Sequence, residues 1–357
     1  MQKNSAVLVY GAYGHTGRFI VAEALRRGLR PILSGRREAA LTAMAQNLPG
    51  TEIRVADVAV TTDLDAAVAG TAAVINAAGP FLDTAEPLAA AAARAGAHYL
   101  DVSAEQGSVQ ALFETFGSNR TPMSTAVVPA MSFYGGLADL LVTAAAREWE
   151  EIDSVTVAIG LDRWWPTPGT RITGRRNTAT RLRVSESMLV PVSPQPSRHQ
   201  WAFPAPIGEQ TVREQPFSEM ITMNRHLRAR RIDNLLSETA LADISDSETG
   251  APQAVDDFGR SAQNFTVDVR LDRAGHRREL RASGRDIYQV TAPLVVEAAI
   301  RLIDGRFTGT GALAPGGAFD AADFLTALSA NWLTISSPDE ESAASGLAGQ
   351  VPAESIR

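Results

Sequence analysis

Three glycines at intervals of three residues lie between a predicted strand and a predicted helix near the start of the chain. Residues 6–10 form an apolar run typical of a buried strand, and Gly11, Gly14 and Gly17 follow it directly. There the first glycine permits a tight turn, the second lets backbone N–H groups approach a pyrophosphate, and the third lets the helix pack close to the strand. The pattern predicts a dinucleotide-binding turn; the alternative is a glycine turn that holds no ligand. The other candidate cofactor contacts in the turn are Tyr13, His15 and Thr16.

Strand-like and helix-like segments continue to alternate through residues 1–130, which predicts a parallel α/β sheet. The predicted strands are 7–10, 31–34, 53–56, 73–76, 99–102 and 126–128. The predicted helices are 16–27, 38–48, 84–95 and 109–116. Gly28 and Gly96 follow two of these helices, as glycine does at a C-terminal cap. The sequence therefore predicts a Rossmann-type doubly wound parallel sheet over residues 1–130.

The residues that end the second predicted strand indicate which dinucleotide fits. An NAD site places Asp or Glu there to accept a hydrogen bond from the ribose 2′-hydroxyl. This chain has Ser34, Gly35, Arg36 and Arg37 instead. A guanidinium offers a planar fork to phosphate oxygens, and an arginine at a helix N-terminus opposes the helix dipole unless an anion compensates it. We therefore predict NADP(H), the alternative being that both arginines only decorate the next helix.

Two further loops follow strands at the edge where this fold binds its ligand. Asp57 and Val58 follow the third strand and are candidates to flank the adenine. After the fourth strand, small residues would let the backbone approach the nicotinamide ribose, and a proline fixes the loop. The candidates in this second loop are Ala77, Ala78, Gly79, Pro80 and Phe81. For any single side chain, ordinary loop geometry is the alternative.

These motifs, in this order, resemble the NADP-binding domain of saccharopine-dehydrogenase-like NAD(P)-dependent oxidoreductases. The similar segments are GAYGHTGR at 11–18, SGRR at 34–37 and INAAGPFLDTAEPLAAAAARAGAHYLDVSAEQ at 75–106. A looser similarity continues over 128–139, where related members carry a Gly/Pro-rich turn that ends in Asp before a helix. The resemblance implies NADPH-dependent reduction, or the reverse oxidation, of a C=O, C=N or conjugated C=C bond. The substrate stays open, and Ala104 stands where the family frequently has glycine.

The sequence pattern of the second half of the chain indicates a different architecture. Residues 131–288 predict an α+β lobe for substrate binding or dimerisation, 289–335 helices that return to the first domain, and 336–357 a mobile tail. The lobe's predicted elements are a helix at 136–147 and strands at 152–159, 182–184, 188–192, 219–223, 265–271 and 278–282. Five arginines between 171 and 183 predict either a solvated hairpin or an anion-binding surface.

Composition excludes several chemistries. The chain has no cysteine, and Lys3 is the only lysine among 33 basic residues. Thiolate catalysis, cysteine-bound zinc and lysine Schiff bases are excluded, as is the Tyr-x-x-x-Lys pair of short-chain dehydrogenases. The net charge of −7 argues against nucleic acid or a membrane as partner. Without metal-ligand spacing, a signal peptide or an apolar run of about 18 residues, we expect a soluble cytoplasmic protein with a small-molecule substrate and a homodimer as one candidate assembly.

The remaining proton donors for a reductase are Tyr, His, Asp, Glu or water. Tyr134, in the turn after the sixth strand, is the first candidate, and Tyr99 on the fifth strand is the second. Candidate substrate contacts are Ser103, Phe133, Asp139, Trp164 and Trp165. We predict an NADPH-dependent reductase of a small or natural-product-like molecule. The alternatives are a redox-sensing protein that binds NADP(H) without turnover, and a non-redox cyclase or isomerase on the same fold.

Overall fold

The computed structural model describes residues 5–117 and 124–337, which form two lobes built on separate sheets. Lys3 and residues 338–357 of the predicted tail lie outside the described residues. Residue 336, where that tail was expected to begin, belongs to a strand of the second sheet. Within the described ranges, no helix combines the length and the apolar character that crossing a membrane requires.

The first lobe is a parallel sheet with helices on both faces. Its strands are β1 (Ala6–Tyr10), β2 (Arg30–Gly35), β3 (Glu52–Val55), β4 (Ala73–Asn76), β5 (His98–Asp101), β6 (Ala126–Val128) and β15 (Gly311–Ala312). Their order is β15-β6-β5-β4-β1-β2-β3, and each neighbouring pair is parallel. The order reverses between β4 and β1, which opens a crevice beyond their carboxyl ends. The predicted Rossmann-type doubly wound sheet is confirmed.

Five helices connect these strands, and the alternation of side chains explains how they pack. The helices are α1 (His15–Arg26), α2 (Glu38–Ala45), α3 (Thr61–Val68), α4 (Phe81–Ala95) and α5 (Gln106–Phe116). Val7 and Val9 face one core and Leu8 faces the other, all fully buried, as expected of a strand covered on both sides. Helix α3 was not predicted, because its Thr and Asp residues favour helix weakly. Gly96 caps α4 in the left-handed conformation, as predicted.

The second lobe is built on a mixed sheet, as the predicted α+β lobe requires. Its strands are β7 (Ile152–Leu161), β8 (Leu182–Ser185), β9 (Met188–Pro191), β10 (Arg198–Ala202), β11 (Glu209–Glu214), β12 (Ala229–Ser237), β13 (Asn264–Arg273), β14 (His276–Arg285) and β16 (Thr334–Ser336). The main path is β10-β11-β12-β7-β13-β14-β16, with β8 paired to β12 and β9. Only β12 and β7 are parallel among the pairs of this sheet in the described chain.

Two predicted elements of this half differ in the structure. Residues 219–223, predicted as a strand, belong to helix α8 (Glu219–His226), where all five are buried. A short run that is buried throughout has no period that separates strand from helix. The predicted helix 136–147 begins with a π-helical turn, Phe133–Leu137, and continues as α6 (Ala138–Ala146). The lobe also contains α7 (Pro168–Arg176) and α9 (Glu238–Ser245).

The C-terminal segment returns to both lobes. Helix α10 (Thr291–Ile303) packs on α1, where the Glu297 carboxylate lies 2.5 Å from a guanidinium nitrogen of Arg27. Strand β15 extends the first sheet and β16 the second. Between them lie α11 (Pro315–Ala318) and α12 (Ala321–Ser329). The N-cap of α12, Asp320, accepts a hydrogen bond from the backbone N–H of Asp323.

Candidate functional site

The glycine-rich turn has the backbone geometry that the spacing predicts. Gly11 has φ +81°, and its N–H donates to the Ser34 carbonyl over 2.8 Å. A Cβ on Gly17 would lie 2.9 Å from the Ala12 carbonyl oxygen and closer still to that of Gly11. Helix α1 thus packs on the turn at a distance that only glycine permits. Gly14 is its N-cap, which leaves the positive end of the helix next to the turn.

The end of β2 presents arginine beside an aromatic ring. The Tyr13 ring covers Gly35, where an added Cβ would lie 2.8 Å from Cε1 of the ring. The guanidinium carbon of Arg37 lies 4.5 Å from the centroid of the same ring, and both Arg36 and Arg37 are exposed. The Ser34 hydroxyl, in contrast, is enclosed without a hydrogen-bond partner among the described residues, so it does not share this surface with the arginines. Positive charge stacked on an aromatic face suits an adenosine 2′-phosphate.

The loop after β3 lies at the same carboxyl edge of the first sheet as the glycine-rich turn and the end of β2. Asp57 is exposed, and its carboxylate accepts a hydrogen bond from the Ala59 N–H over 3.0 Å. Val58 is half-buried. The Tyr10 hydroxyl donates to the Ala56 carbonyl, and burial together with the Asp57 charge raises the pKa of Tyr10 to about 12. Contact of Asp57 and Val58 with an adenine stays a prediction.

The loop after β4 is held by buried polar side chains. Asn76 donates to the hydroxyls of Thr84 and Tyr99 and accepts from the Ala78 N–H. The Glu105 carboxylate accepts from the N–H groups of Phe81 and its neighbour at the start of α4. The loop backbone is therefore fixed before any ligand binds.

Helix α7 of the second lobe lies directly on this loop. A Cβ on Gly79 would lie 2.6 Å from the Thr173 hydroxyl oxygen. Farther along α7, a guanidinium nitrogen of Arg176 lies 2.8 Å from the Asp83 carboxylate on α4. Thr173, which sequence reasoning did not select, therefore lies against the loop that follows β4.

A row of aromatic side chains connects the glycine-rich turn to the second lobe. The His15 and Tyr288 rings meet edge to face, with centroids 5.3 Å apart. The Tyr288 hydroxyl accepts from the Trp164 indole N–H over 3.0 Å. Trp164 lies 5.6 Å from Tyr134, which lies 4.2 Å from Phe217, measured between centroids. We call these five residues the aromatic wall; it brings His15, Trp164 and Tyr134 together, as a shared site requires.

Tyr134 occupies an unusual position in this wall. It lies on the π-helical turn, a conformation that recurs at functional sites. Its side chain is 7% exposed, and its hydroxyl has no hydrogen-bond partner among the described residues. Burial, followed by the charges of Tyr288 and Glu219, raises the pKa of Tyr134 well above its usual value, while Arg181 lowers it. An enclosed hydroxyl that stays protonated and has no partner can donate to a ligand oxygen or nitrogen.

Tyr99, the second catalytic candidate, is bonded inside the protein. It is fully buried, its hydroxyl donates to an Asp101 carboxylate oxygen over 3.1 Å, and it accepts from the Asn76 amide. Burial raises the pKa of Asp101 to about 6, although the N–H groups of Ser103 and Ala130 lower it. These contacts give Tyr99 a positioning role in the turn behind the site, and no contact of Tyr99 with the aromatic wall is seen.

Three of the five candidate substrate residues are likewise engaged within the chain. The Ser103 hydroxyl accepts from the Glu105 N–H, and its carbonyl accepts from Ser218 of the second lobe. Phe133 is 2% exposed and packs edge to face on Phe265 with centroids 4.8 Å apart. Asp139 binds His226, as described below. Trp164 belongs to the aromatic wall, and Trp165 is half-buried beside it.

The five arginines between 171 and 183 do not converge on one anion site. Three of them lie on α7, Arg181 lies just ahead of β8, and Arg183 lies on the hairpin that β8 forms with β9. Their partners differ. Arg171 donates to the carbonyls of residues 246 and 249, Arg176 pairs with Asp83, Arg181 donates to the Pro216 carbonyl, Arg183 pairs with Glu214, and Arg175 is exposed. The predicted anion-binding surface is therefore not formed by this group as a whole.

Asp139 anchors the C-terminal segment instead of facing a substrate. It is fully buried, one carboxylate oxygen lies 2.7 Å from Nε2 of His226, and the other accepts from the Gly316 N–H. Burial lowers the pKa of His226, but the charge and hydrogen bond of Asp139 outweigh burial, so the net shift is upward. The His226–Asp139 pair connects α6, α8 and α11.

We expect this pair to make stability depend on pH. Because the pKa of His226 is higher in the folded state, its stabilisation is fully present below about pH 6.5 and is lost as the pH rises through the folded-state pKa. Urea unfolding of the parent and of His226→Gln should show a difference of about 1–3 kcal/mol at acidic pH that shrinks at alkaline pH. A difference that is constant with pH would contradict the assignment.

Comparison with known proteins identifies the first lobe. Residues 7–125 match the family model described as the saccharopine dehydrogenase NADP binding domain. A probable mitochondrial saccharopine dehydrogenase-like oxidoreductase of Arabidopsis thaliana is 27% identical over 158 residues, 40% of this chain and 35% of that protein. An apo saccharopine dehydrogenase (L-Glu forming) from Saccharomyces cerevisiae has the same fold, with a TM-score of 0.62 and 14% identity over 93% of this chain and 99% of that one. The resemblance predicted from the sequence is confirmed.

Proposed function

We propose, from a nucleotide lobe of the saccharopine dehydrogenase type, that this protein is an NADPH-dependent oxidoreductase. It reduces a C=O, C=N or conjugated C=C bond of a small or natural-product-like molecule, or catalyses the reverse oxidation. The observation that carries the proposal is the aromatic wall, which runs from the dinucleotide turn to the unpartnered hydroxyl of Tyr134. In this proposal the protein is cytoplasmic, as its sequence predicts, and a homodimer is a candidate assembly.

The residues present fit a bound NADP(H). Glycine is required at positions 11 and 17 of the turn, so the backbone can approach a pyrophosphate at the start of α1. Arg36 and Arg37 would hold the 2′-phosphate, and the fixed loop 77–81 would accept the nicotinamide ribose. When bound, the cofactor supplies the hydride chemistry, while the protein orients the acceptor, excludes water and handles the proton.

We assign to Tyr134 the role of donating the proton that the acceptor receives. A tyrosine hydroxyl is protonated at neutral pH, and burial raises the pKa of Tyr134 further, while the rings of Trp164 and Phe217 pack against its own ring. In the reductive direction the Tyr134 O–H donates to the oxygen or nitrogen of the acceptor, or to the carbon of a conjugated system. In the oxidative direction the same group receives the proton.

Replacement of Arg36 and Arg37 with alanine should convert an NADPH-preferring protein into one with little preference. Loss of two charge-assisted contacts, each about 1.5–3 kcal/mol, should weaken NADPH binding at least about a hundredfold. NADH binding should change less than about threefold, because NADH has no 2′-phosphate. Calorimetric titration with each nucleotide measures both constants. Arg175→Ala is the matched control, since Arg175 is also an exposed arginine but lies on α7.

The function itself is tested by NADPH oxidation with a panel of ketones, aldehydes, cyclic imines and enones. Substrate-dependent loss of nicotinamide absorbance is the expected result. Tight NADPH binding without turnover of any compound would favour the redox-sensing alternative. Product formation without net consumption of cofactor would favour the cyclase or isomerase. Absence of NADPH binding would overturn the proposal in all three forms.

A further inference from the structure

Tyr134 is not the only buried polar group that lacks a partner in this part of the second lobe. Among the described residues, Oε2 of Glu219 and Oδ1 of Asn234 are also buried without a hydrogen bond. Glu219 and Asn234 are both fully buried, as a carboxylate and an amide rarely are. Native proteins leave few such atoms unsatisfied, so three close together indicate a functional need or an internal water.

Phe217 connects these groups geometrically. Its backbone N–H donates to Oε1 of Glu219 over 2.7 Å, and the Asn234 amide donates to the same oxygen. Its ring stacks on Tyr134 with centroids 4.2 Å apart, and the guanidinium carbon of Arg181 lies 4.8 Å from the ring centroid. Glu219 is therefore held by one oxygen behind the residue on which Tyr134 stacks, and its other oxygen has no bond.

The charge balance explains why Tyr134 needs such a neighbour. A tyrosine that has given its proton to a substrate becomes a phenolate, which a dry aromatic enclosure destabilises strongly. The described residues include no lysine that could offset that charge. Arg181 offsets part of it, as the mutual influence of Arg181, Glu219 and Tyr134 on one another's pKa shows. A proton from a nearby carboxylic acid would remove the phenolate altogether.

We propose that Glu219 is the proton-supplying residue behind Tyr134. This inference rests on the proposed function and adds to it a second ionisable group, which acts through Tyr134 rather than on the substrate. Asn234 has a positioning role, because its amide fixes one oxygen of Glu219 and leaves the other for the transfer. The proton would pass from Oε2 of Glu219 to the Tyr134 hydroxyl oxygen, both of which are buried without a partner among the described residues.

The steps balance in atoms and charge. In the reductive direction a hydride adds to the acceptor carbon and the Tyr134 O–H proton goes to the acceptor oxygen or nitrogen. The Glu219 carboxylic acid then gives its proton to the Tyr134 phenolate and becomes a carboxylate. Solvent returns one proton to Glu219 before the next turnover, so the net consumption is one NADPH and one proton. Oxidation runs the same steps in reverse.

The direction of the second step follows from the two acidities. Burial raises the pKa of Glu219 to about 7, although hydrogen bonds from Phe217 and Asn234 and the Arg181 charge lower it. Burial raises the pKa of Tyr134 above the ordinary value for tyrosine, which is already higher than that of Glu219, so transfer from Glu219 to the phenolate is downhill. The groups that face Glu219 are Tyr134 from the π-helical turn, Arg181 ahead of β8 and Asn234 from β12. Of the other helices that pack on α8, α5 contributes Gln106, which binds the Phe217 carbonyl, and α6 contributes Asp139, paired with His226 at the far end of α8.

A first experiment needs no substrate. 3-Fluorotyrosine at position 134 of the full-length chain reports its surroundings by ¹⁹F NMR. We expect its resonance to shift with a midpoint near pH 7 in the parent and to lose that transition in Glu219→Gln, which keeps the shape of the side chain but not its proton. Glu214→Gln is the matched control, because Glu214 is also a buried glutamate; it lies on β11 and pairs with Arg183. In this variant the midpoint of the fluorine titration should stay near pH 7. A midpoint unchanged in Glu219→Gln, or absent in the parent, overturns the proposal.

The second experiment is a pH profile with the panel compound that is reduced fastest. We expect kcat of the parent to fall above about pH 7, and kcat of Glu219→Gln to be about a hundredfold lower and flat across that range, with the NADPH KM unchanged. A Glu219→Gln profile that still falls near pH 7 would refute the role of Glu219 while the reductase function stands. If no compound is reduced, the proposed function fails, and the fluorine titration still decides whether the two groups share a proton.

Discussion

Tyr134→Phe should lower turnover by about a hundredfold to ten-thousandfold without weakening NADPH binding, because it removes the proton donor and leaves the aromatic wall in place. The same change should not destabilise the protein. The hydroxyl is buried without a partner, so its removal ends a desolvation penalty and breaks no hydrogen bond. Thermal unfolding and single-turnover NADPH oxidation measure the two effects separately. A variant that retains full turnover would remove Tyr134 from the acid role.

Tyr99→Phe provides the contrasting result. It takes a donor from Asp101 and an acceptor from Asn76 inside the sheet, so the free energy of unfolding should fall by about 1–3 kcal/mol. Turnover at a temperature where the variant is folded should fall far less than in Tyr134→Phe, because no contact of Tyr99 with the aromatic wall is seen. If Tyr99→Phe is as inactive as Tyr134→Phe while still folded, the roles of the two tyrosines must be exchanged.

Gly17→Ala is the second change with a large expected effect. The added Cβ would overlap the Gly11 carbonyl oxygen and lie 2.9 Å from that of Ala12, so α1 must move away from the turn. We expect a loss of about 1–3 kcal/mol in unfolding free energy. Since the cofactor phosphates depend on the same spacing, NADPH should bind at least about a hundredfold more weakly. Calorimetry and urea unfolding report the two quantities.

The matched control for that substitution is Gly174→Ala. Gly174 is also a helical glycine, on α7, and no atom lies within 4 Å of a Cβ built there. Alanine favours helix over glycine by about 1 kcal/mol, so this variant should be as stable as the parent or more stable. Unchanged NADPH affinity in Gly17→Ala would show that the turn tolerates a side chain and is not the pyrophosphate site.

The first lobe could be predicted because its signals are local. The glycine spacing, the run from Ser34 to Arg37 and the apolar strands each reflect contacts between residues close in sequence, and the structure reproduces them as backbone geometry. Even there, one cofactor contact was wrongly predicted: Ser34 is the next-to-last residue of β2, which is buried on both faces, and its side chain is fully buried.

The second half of the site could not be found this way. Tyr288 and Trp164, which form a hydrogen bond, are 124 residues apart in the sequence, and no motif near either residue predicts this contact. Glu219 was placed in a strand because the short run 219–223 reads as strand-like, and a short run whose residues are all buried does not distinguish strand from helix. The single useful signal was the glutamate itself, an ionisable residue in a largely apolar run.

Helix α10 gives the folding of the protein a definite order. Leu294, Val295 and Val296 are fully buried, and the helix that carries them packs on α1, β4 and β5. These residues are synthesised only after β7 to β14 of the second lobe, so the nascent first lobe leaves the ribosome with the surface that α10 covers on α1, β4 and β5 still exposed. Until residues 291–303 emerge and cover it, the growing chain presents an apolar surface that a chaperone can bind.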